Sequence, residues 1–154
     1  CLLPTAYCLL PTAADSRPPM NRDDRELLVC LLLADVSQQQ RQYPGRDRLL
    51  LIAGAAACRA GRLEVAARCR QAVLDHNPAH LVGRFDSIPD ALRHADFQSL
   101  FKQLRRQCPL ERAEHLLAIQ GLADQVPIDE SIDVGQLIDE IFSREHWPNV
   151  PGSE

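Results

Sequence analysis

The sequence predicts an all-α fold, a bundle of about six to seven helices that includes one antiparallel helical hairpin. The first reason is composition. Only 5% of the 154 residues are aromatic, and the apolar residues are mostly Leu and Ala, which favour helices, whereas strands are rich in β-branched and aromatic residues. The second reason is spacing, because apolar residues recur three and four positions apart within segments that Gly and Pro separate. A chain of this length suits a single domain.

The two ends of the chain differ from the rest. A seven-residue unit with one proline is nearly repeated in succession from Cys1, and Met20, the only methionine, precedes the first helical segment. A proline every seven residues is incompatible with a helix, and the pattern is not that of a signal peptide. We expect a disordered leader over residues 1–20, with a processed N-terminus or a lipidated Cys1 as alternatives. The helical domain is expected at residues 21–146, followed by a disordered tail at 147–154.

An apolar run over residues 27–36 predicts a buried helix at about residues 22–41. Asp23 and Asp24 would lie in its first turn, where acidic side chains suit the helix dipole. The run is roughly ten residues long and a bilayer span needs about twenty, so no membrane span is expected. The sequence Tyr-Pro-Gly at residues 43–45 then predicts a turn.

Two further helices are predicted over residues 47–60 and 63–76, with a glycine between them and a proline after the second. The first of these helices carries a group of small residues. Because small side chains let helix backbones come close, we expect a neighbouring helix to approach at this group, which consists of Ala53, Gly54 and Ala57.

The pattern across this pair of helices is similar to that of one tetratricopeptide repeat, a helix-turn-helix unit of about 34 residues. The match covers residues 47–78 and rests on Leu50, Ala53, Gly54, Ala57, Gly61, Leu63, Ala66, Val73 and Pro78. The positions that the family fills with aromatic residues hold Leu50, Ala57 and Arg70 here. The resemblance implies that the two helices form an antiparallel hairpin.

The remaining helices are predicted from capping residues and apolar stripes. A capping-box-like pattern at Ser87 begins a short helix over residues 88–94. An apolar stripe predicts a helix that ends near residue 107, and a proline opens the next helix, over residues 109–121. A second capping-box-like pattern begins the last helix, whose apolar face lies within Val134–Phe142.

Charge is unevenly placed along the chain. Arginine is concentrated between residues 41 and 70, and acidic residues dominate from residue 124 onward. Either these are solvated surface charges, or the acidic end packs near the Arg-rich stretch. The net charge of −4 makes nucleic-acid binding an unfavoured interpretation, because general nucleic-acid binders are usually basic.

The sequence contains no catalytic, cofactor or metal motif. The glycines lack the spacing of phosphate-binding loops, and His76 and His80 are separated by a proline that interrupts a shared helix face. Cys108 is the best placed nucleophile, because it precedes a helix start whose dipole would lower the pKa of its thiol. No base can be paired with it from sequence, so we expect no catalytic residue, no cofactor and no metal. The cysteines form no C-x-x-C pair and are interpreted as reduced thiols, which predicts a cytoplasmic location.

The expected function is a non-catalytic protein–protein interaction or adaptor module that buries a partner's helix or peptide between its own helices. Phe and Arg are common interface anchors, and the candidate partner contacts are His80, Arg84, Phe85 and Arg105. The alternative for the phenylalanines is that they plug the core. A homodimer through Val134–Phe142 is a further possibility. The alternative functions are a small ligand-binding protein or enzyme whose site is assembled from distant residues, and an Arg-mediated nucleic-acid binder.

Overall fold

The computed structural model describes residues 21–127, 132–144 and 147, and within them it contains seven α-helices, two short 3-10 helices and no strand. The α-helices are α1 (Arg22–Gln39), α2 (Tyr43–Arg59), α3 (Leu63–His76), α4 (Ile88–Ala91), α5 (Ala95–Gln107), α6 (Leu110–Ile119) and α7 (Val134–Phe142). The 3-10 helices cover Leu81–Arg84 and Ala123–Gln125. The predicted all-α fold is therefore confirmed. Among these helices, none combines the length and apolar character that a membrane span requires.

Helix α1 is the centre of the fold. It packs against α2, α6 and α7, and every residue from Leu27 to Asp35 is buried. A helix that is apolar all round lies inside a domain, as the sequence predicted. Its start is capped by Asn21, whose side chain accepts a hydrogen bond from the backbone N–H of Asp23 at 2.7 Å.

Three helices end with one residue in the left-handed backbone conformation, a common way to satisfy the last carbonyl groups. Gly61 after α2 and Gly121 after α6 have φ angles of 80° and 76°, and the prediction that a glycine separates the two hairpin helices is confirmed. After α1 the same position holds Arg41, with φ of 59°, although a side chain disfavours this conformation. The turn is closed by the N–H of Gln42, which donates to the carbonyl of Ser37 at 2.8 Å.

Two of the predicted helix boundaries are wrong. Helix α2 begins at Tyr43 rather than at residue 47, because Pro44 needs no N–H donor in a first turn and so the Tyr-Pro-Gly sequence enters the helix. Helix α4 ends at Ala91 rather than at residue 94. The N–H groups of Arg93 and His94 bond three residues back, at 3.1 and 3.0 Å, and this tighter turn leads directly into α5.

Helices α2 and α3 form the predicted antiparallel hairpin, and α3 has the predicted bounds, Leu63–His76. Gly54 is a point of close approach, as expected. A Cβ atom at this position would lie 2.4 Å from Cδ1 of Ile88 in α4 and 3.5 Å from Cβ of Cys69 in α3. The absent side chain therefore lets α4 pack onto the hairpin. Membership of this hairpin in the tetratricopeptide family stays a prediction.

The C-terminal part of the chain folds back onto α1. In α7 the side chains of Val134, Ile138 and Ile141 are buried within the chain. Trp147, which we expected to begin a disordered tail, is also buried, and its Nε1 donates to Asp35 of α1 at 2.7 Å. Trp147 therefore belongs to the core, because its indole N–H finds an acceptor there. The predicted leader and the rest of the predicted tail lie outside the described residues.

Arginines of the Arg-rich stretch are paired with acids of the same chain. Arg59 Nη2 lies 2.7 Å from Oε1 of the buried Glu26 in α1. Arg68 Nη1 lies 2.8 Å from Asp139 Oδ1 in α7. The second pair joins the Arg-rich stretch to the acidic end of the chain. At this point the two regions pack together, as in the second of the two interpretations of the charge pattern.

Candidate functional site

A cleft of about 430 Å³ lies between α2, the end of α3 and α5, and it is open to solvent. We call it the α2–α5 cleft. The described residues that line it are Pro44, Asp47, Arg48, Leu51, His76, Asn77, His80, Leu100, Gln103, Leu104 and Gln107.

The floor of the α2–α5 cleft is apolar. Leu51 and Leu104 are buried, and Leu100 is half-buried. Positions 100 and 104 of α5 lie one helical turn apart on one face, so their side chains are neighbours. Gln103 and Gln107 repeat the same spacing and add polar groups to the lining on that face.

One wall of the cleft is held by a buried network around Arg46 and Asp47. The Nη2 and Nε groups of Arg46 donate to Asp47 Oδ1 at 2.7 and 3.1 Å. Arg46 also donates to Gln38 Oε1 of α1 at 2.6 Å and to the carbonyl of Ala72 in α3 at 2.9 Å. Both charged side chains are almost wholly buried, so these bonds compensate the loss of water. The network ties α1, α2 and α3 together behind the cleft.

His76 contacts this network and also lines the cleft. Its Nδ1 lies 2.9 Å from Asp47 Oδ2, and its ring packs on Tyr43 with the ring centroids 4.9 Å apart. Because a carboxylate only accepts hydrogen bonds, Nδ1 of His76 donates and Nε2 is left for other contacts. A carboxylate that orients an imidazole in this way can support proton transfer.

His80 reaches the same cleft from the connection after α3. Its Nδ1 accepts a hydrogen bond from the N–H of Val82 at 3.1 Å, so the neutral ring carries its proton on Nε2. Burial lowers the pKa of His80, and the negative charge of Asp47 opposes this with a smaller effect. Burial thus favours the neutral imidazole, whose Nε2–H is available to donate.

The four predicted partner contacts lie in different surroundings. His80 lines the cleft, and Arg84 is exposed at the end of the 3-10 helix. Phe85 is half-buried against other aromatic rings. Arg105 Nη2 lies 3.3 Å from Oε2 of the buried Glu26. Of these four candidates, only His80 is part of the described cleft lining.

The phenylalanines of this region belong to the core. Phe97 is fully buried, and the rings of Phe85 and Phe101 lie 6.2 and 6.4 Å from it, measured between centroids. The structure thus shows the arrangement that we gave as the alternative to interface anchors, in which these rings fill space between helices.

The prediction that a helix dipole lowers the pKa of the Cys108 thiol is wrong. Burial raises the pKa of the Cys108 thiol, and Glu26 raises it further, whereas Arg112 opposes this only in part. The residue caps the C-terminal end of α5, whose dipole disfavours a thiolate. The four cysteines in the described part of the chain are all free thiols. Within the described residues, no group of three or more His, Cys, Asp or Glu side chains is arranged to hold a metal ion.

Comparison of the chain with protein-family models, with curated proteins and with solved structures finds no match. The function is therefore argued from the cleft itself. Sequence reasoning missed most of its polar lining, because Arg48, Asn77, Gln103 and Gln107 form no motif along the chain. The four-residue spacing of His76 and His80 was noticed only as a possible metal pair.

Proposed function

We propose that this protein is a non-catalytic interaction module that binds a segment of another protein in the α2–α5 cleft. The observation that supports this most is the composition of the cleft, a buried leucine floor beside a rim of hydrogen-bonding side chains. A groove between helices with this division suits an extended peptide or one face of a helix, whose apolar side chains cover the floor.

One wall of the cleft is held in place by hydrogen bonds within the chain. Arg46 and Asp47 fix the relative positions of α1, α2 and α3 through buried charge-assisted hydrogen bonds. A preformed site loses less conformational entropy when a partner binds, so more of the contact energy contributes to affinity.

The distribution of arginine weighs against the nucleic-acid alternative. Arg46, Arg59, Arg62 and Arg68 each form an ion pair with a carboxylate of the same chain. Paired guanidinium groups offer less charge to phosphates, and phosphate contacts dominate nucleic-acid affinity.

A second candidate is a small-molecule site or enzyme, which the Asp47–His76 pair favours. His76 Nε2 would act as the base and His80 Nε2–H as a hydrogen-bond donor to the substrate. This candidate predicts a small-molecule ligand whose turnover is lost in His76→Gln but kept in Arg93→Gln, an exposed position outside the described lining of the cleft. The first candidate predicts no turnover.

The test is site-specific photo-crosslinking in the cells that produce the protein. A benzophenone amino acid replaces Gln103 in one variant and Glu64 in the control. Gln103 lines the cleft, whereas Glu64 is exposed at the opposite end of α3 from His76, about 18 Å away along the helix axis. Both positions are exposed, so neither substitution should disturb the fold.

The proposal predicts a discrete protein adduct from position 103 that resists nuclease and is absent from position 64. A nuclease-sensitive adduct would favour the nucleic-acid alternative. Equal adducts from both positions, or none from position 103, would contradict the proposal. An adduct with a second copy of the chain would make that copy the partner in the cleft. It would not test the predicted homodimer through Val134–Phe142, a helix whose apolar face is largely buried within the protomer.

A further inference from the structure

We infer that the α2–α5 cleft selects partner segments in which an acidic side chain stands next to a large apolar one. This inference rests on the proposed function and adds the chemistry of the bound segment. Three features of the cleft carry it: the net charge of its wall, the hydrogen-bonding groups that internal bonds leave available, and the apolar floor beside them.

The wall presents an uncompensated positive charge. Asp47 is the one acidic residue among the described lining residues, and its two oxygens are engaged by Arg46 and His76. The charge of Asp47 is therefore balanced from behind the wall. Arg48 is exposed at the cleft, and it forms no ion pair with any carboxylate in the described part of the chain. A bound segment thus meets a free guanidinium group.

Three polar side chains at the rim, those of Arg48, Asn77 and His80, have only donors available, whereas Gln103 and Gln107 offer both donors and acceptors. Asn77 accepts with its Oδ1 from the N–H of Ala79 at 3.2 Å, which leaves its amide NH₂ to donate. Nδ1 of His80 is used in the same way by a backbone N–H, which leaves Nε2–H. Arg48 can only donate. A carboxylate matches this set, because it is rich in acceptors and strengthens each bond by its charge.

The apolar floor adds the second requirement. The floor leucines, among them Leu51 and Leu100, line the same cleft as Arg48. Leu51 is already buried, but Leu100 is only half-buried, so a Leu or Phe beside the carboxylate would cover the exposed part of Leu100 and contribute the hydrophobic part of the affinity. Because the cleft is open to solvent, a chain can enter and leave it, so the carboxylate is assigned to an Asp or Glu side chain within a segment.

The experiment uses the purified full chain on an array of octapeptides with blocked termini, which removes terminal carboxylates as a source of charge. Peptides with Glu or Asp beside Leu or Phe are compared with control peptides of the same sequence in which Gln replaces Glu or Asn replaces Asp. The same array is probed with Arg48→Gln and with Arg93→Gln. Arg93 is also exposed but lies outside the described lining of the cleft, so it is the matched control for loss of one surface charge.

We expect the full chain to bind the acidic peptides at least about tenfold more tightly than the control peptides with Gln or Asn. A difference of this size corresponds to the free energy of one charge-assisted hydrogen bond. Arg48→Gln should abolish this preference, and Arg93→Gln should keep it. Equal binding of acidic and amide peptides, a preference that survives in Arg48→Gln, or no peptide binding at all would overturn the inference. Crosslinking from position 103 with no acidic preference would leave the proposed function standing and remove only this addition to it.

Discussion

The close approach at Gly54 predicts a substitution that is destabilising although it improves helix propensity. In Gly54→Ala the new Cβ would lie 2.4 Å from Cδ1 of Ile88, so this side chain, which is 1% exposed, would have to shift against its buried neighbours. Overpacking of a core costs about 1–3 kcal/mol, and replacing Gly by Ala inside a helix returns up to about 1 kcal/mol. We therefore expect Gly54→Ala to lower the free energy of unfolding by about 1 kcal/mol.

Two further variants make this prediction decisive. Gly45→Ala, in the same helix, meets no atom within 4 Å and should stabilise the protein by up to about 1 kcal/mol. Ile88→Val removes the obstructing Cδ1 at a cost of about 0.5–1.5 kcal/mol, and in that background Gly54→Ala should become stabilising. The coupling between the two substitutions should then be about 2 kcal/mol.

The measurement is urea unfolding followed by helical circular dichroism, with equal denaturant slopes as the check that two-state comparison holds. If Gly54→Ala stabilises the unmodified protein as much as Gly45→Ala does, α4 does not approach the hairpin at Gly54 and the packing described here is wrong.

Three other substitutions follow from the structure. Arg41→Gly should raise the free energy of unfolding by about 0.5–1 kcal/mol in the same urea assay, because glycine adopts the left-handed turn after α1 without strain; a decrease would contradict that turn. Glu26→Gln should lower it by about 1–3 kcal/mol, because the buried carboxylate pairs with both Arg59 and Arg105; an unchanged value would mean that these pairs contribute nothing. The pKa of His80 is lowered by folding, so the unfolded chain binds more protons and stability should fall as the pH drops below about 6.5. His80→Asn, which keeps a capping acceptor without titrating, should show a shallower fall between about pH 7.5 and about pH 5.5, and identical pH profiles would contradict the assignment.

The bounds of a helix could be predicted where the residues that begin and end it lie in it or next to it in the sequence. The bounds of α3 were predicted correctly, because Gly61 precedes it and Pro78 follows it. The start of α2 was missed because a Tyr-Pro-Gly sequence is typical of turns. The turn is instead made before it by Arg41, a residue with no preference for the left-handed conformation.

The cleft could not be predicted, because its lining comes from three helices and a connection that are distant in sequence. Arg46 and Asp47 resemble an ordinary pair of surface charges, and only the packing of α1 and α3 over them makes them a buried network. Asp35 gave a partial signal, since it was the one charge in an apolar run. Its partner Trp147 is 112 residues away along the chain, and no local pattern connects the two.

The contacts between charged residues could be predicted only in part. The sequence indicated that arginines and acids are segregated, and the Arg68–Asp139 pair shows one contact between the two groups. It could not indicate which arginine is left unpaired at a cleft. Arg46 is buried and paired with Asp47, whereas Arg48, two positions further along the same helix, is exposed at the cleft.

Partner segments are proposed to bind in the α2–α5 cleft. The most direct test is a ¹H–¹⁵N NMR titration of the labelled chain with the tightest-binding blocked peptide from the array. We expect the largest changes in amide chemical shift on residues of the cleft such as Leu51, Asn77, His80 and Leu100. Changes concentrated on α6 and α7, with these residues unaffected, would contradict binding in the cleft.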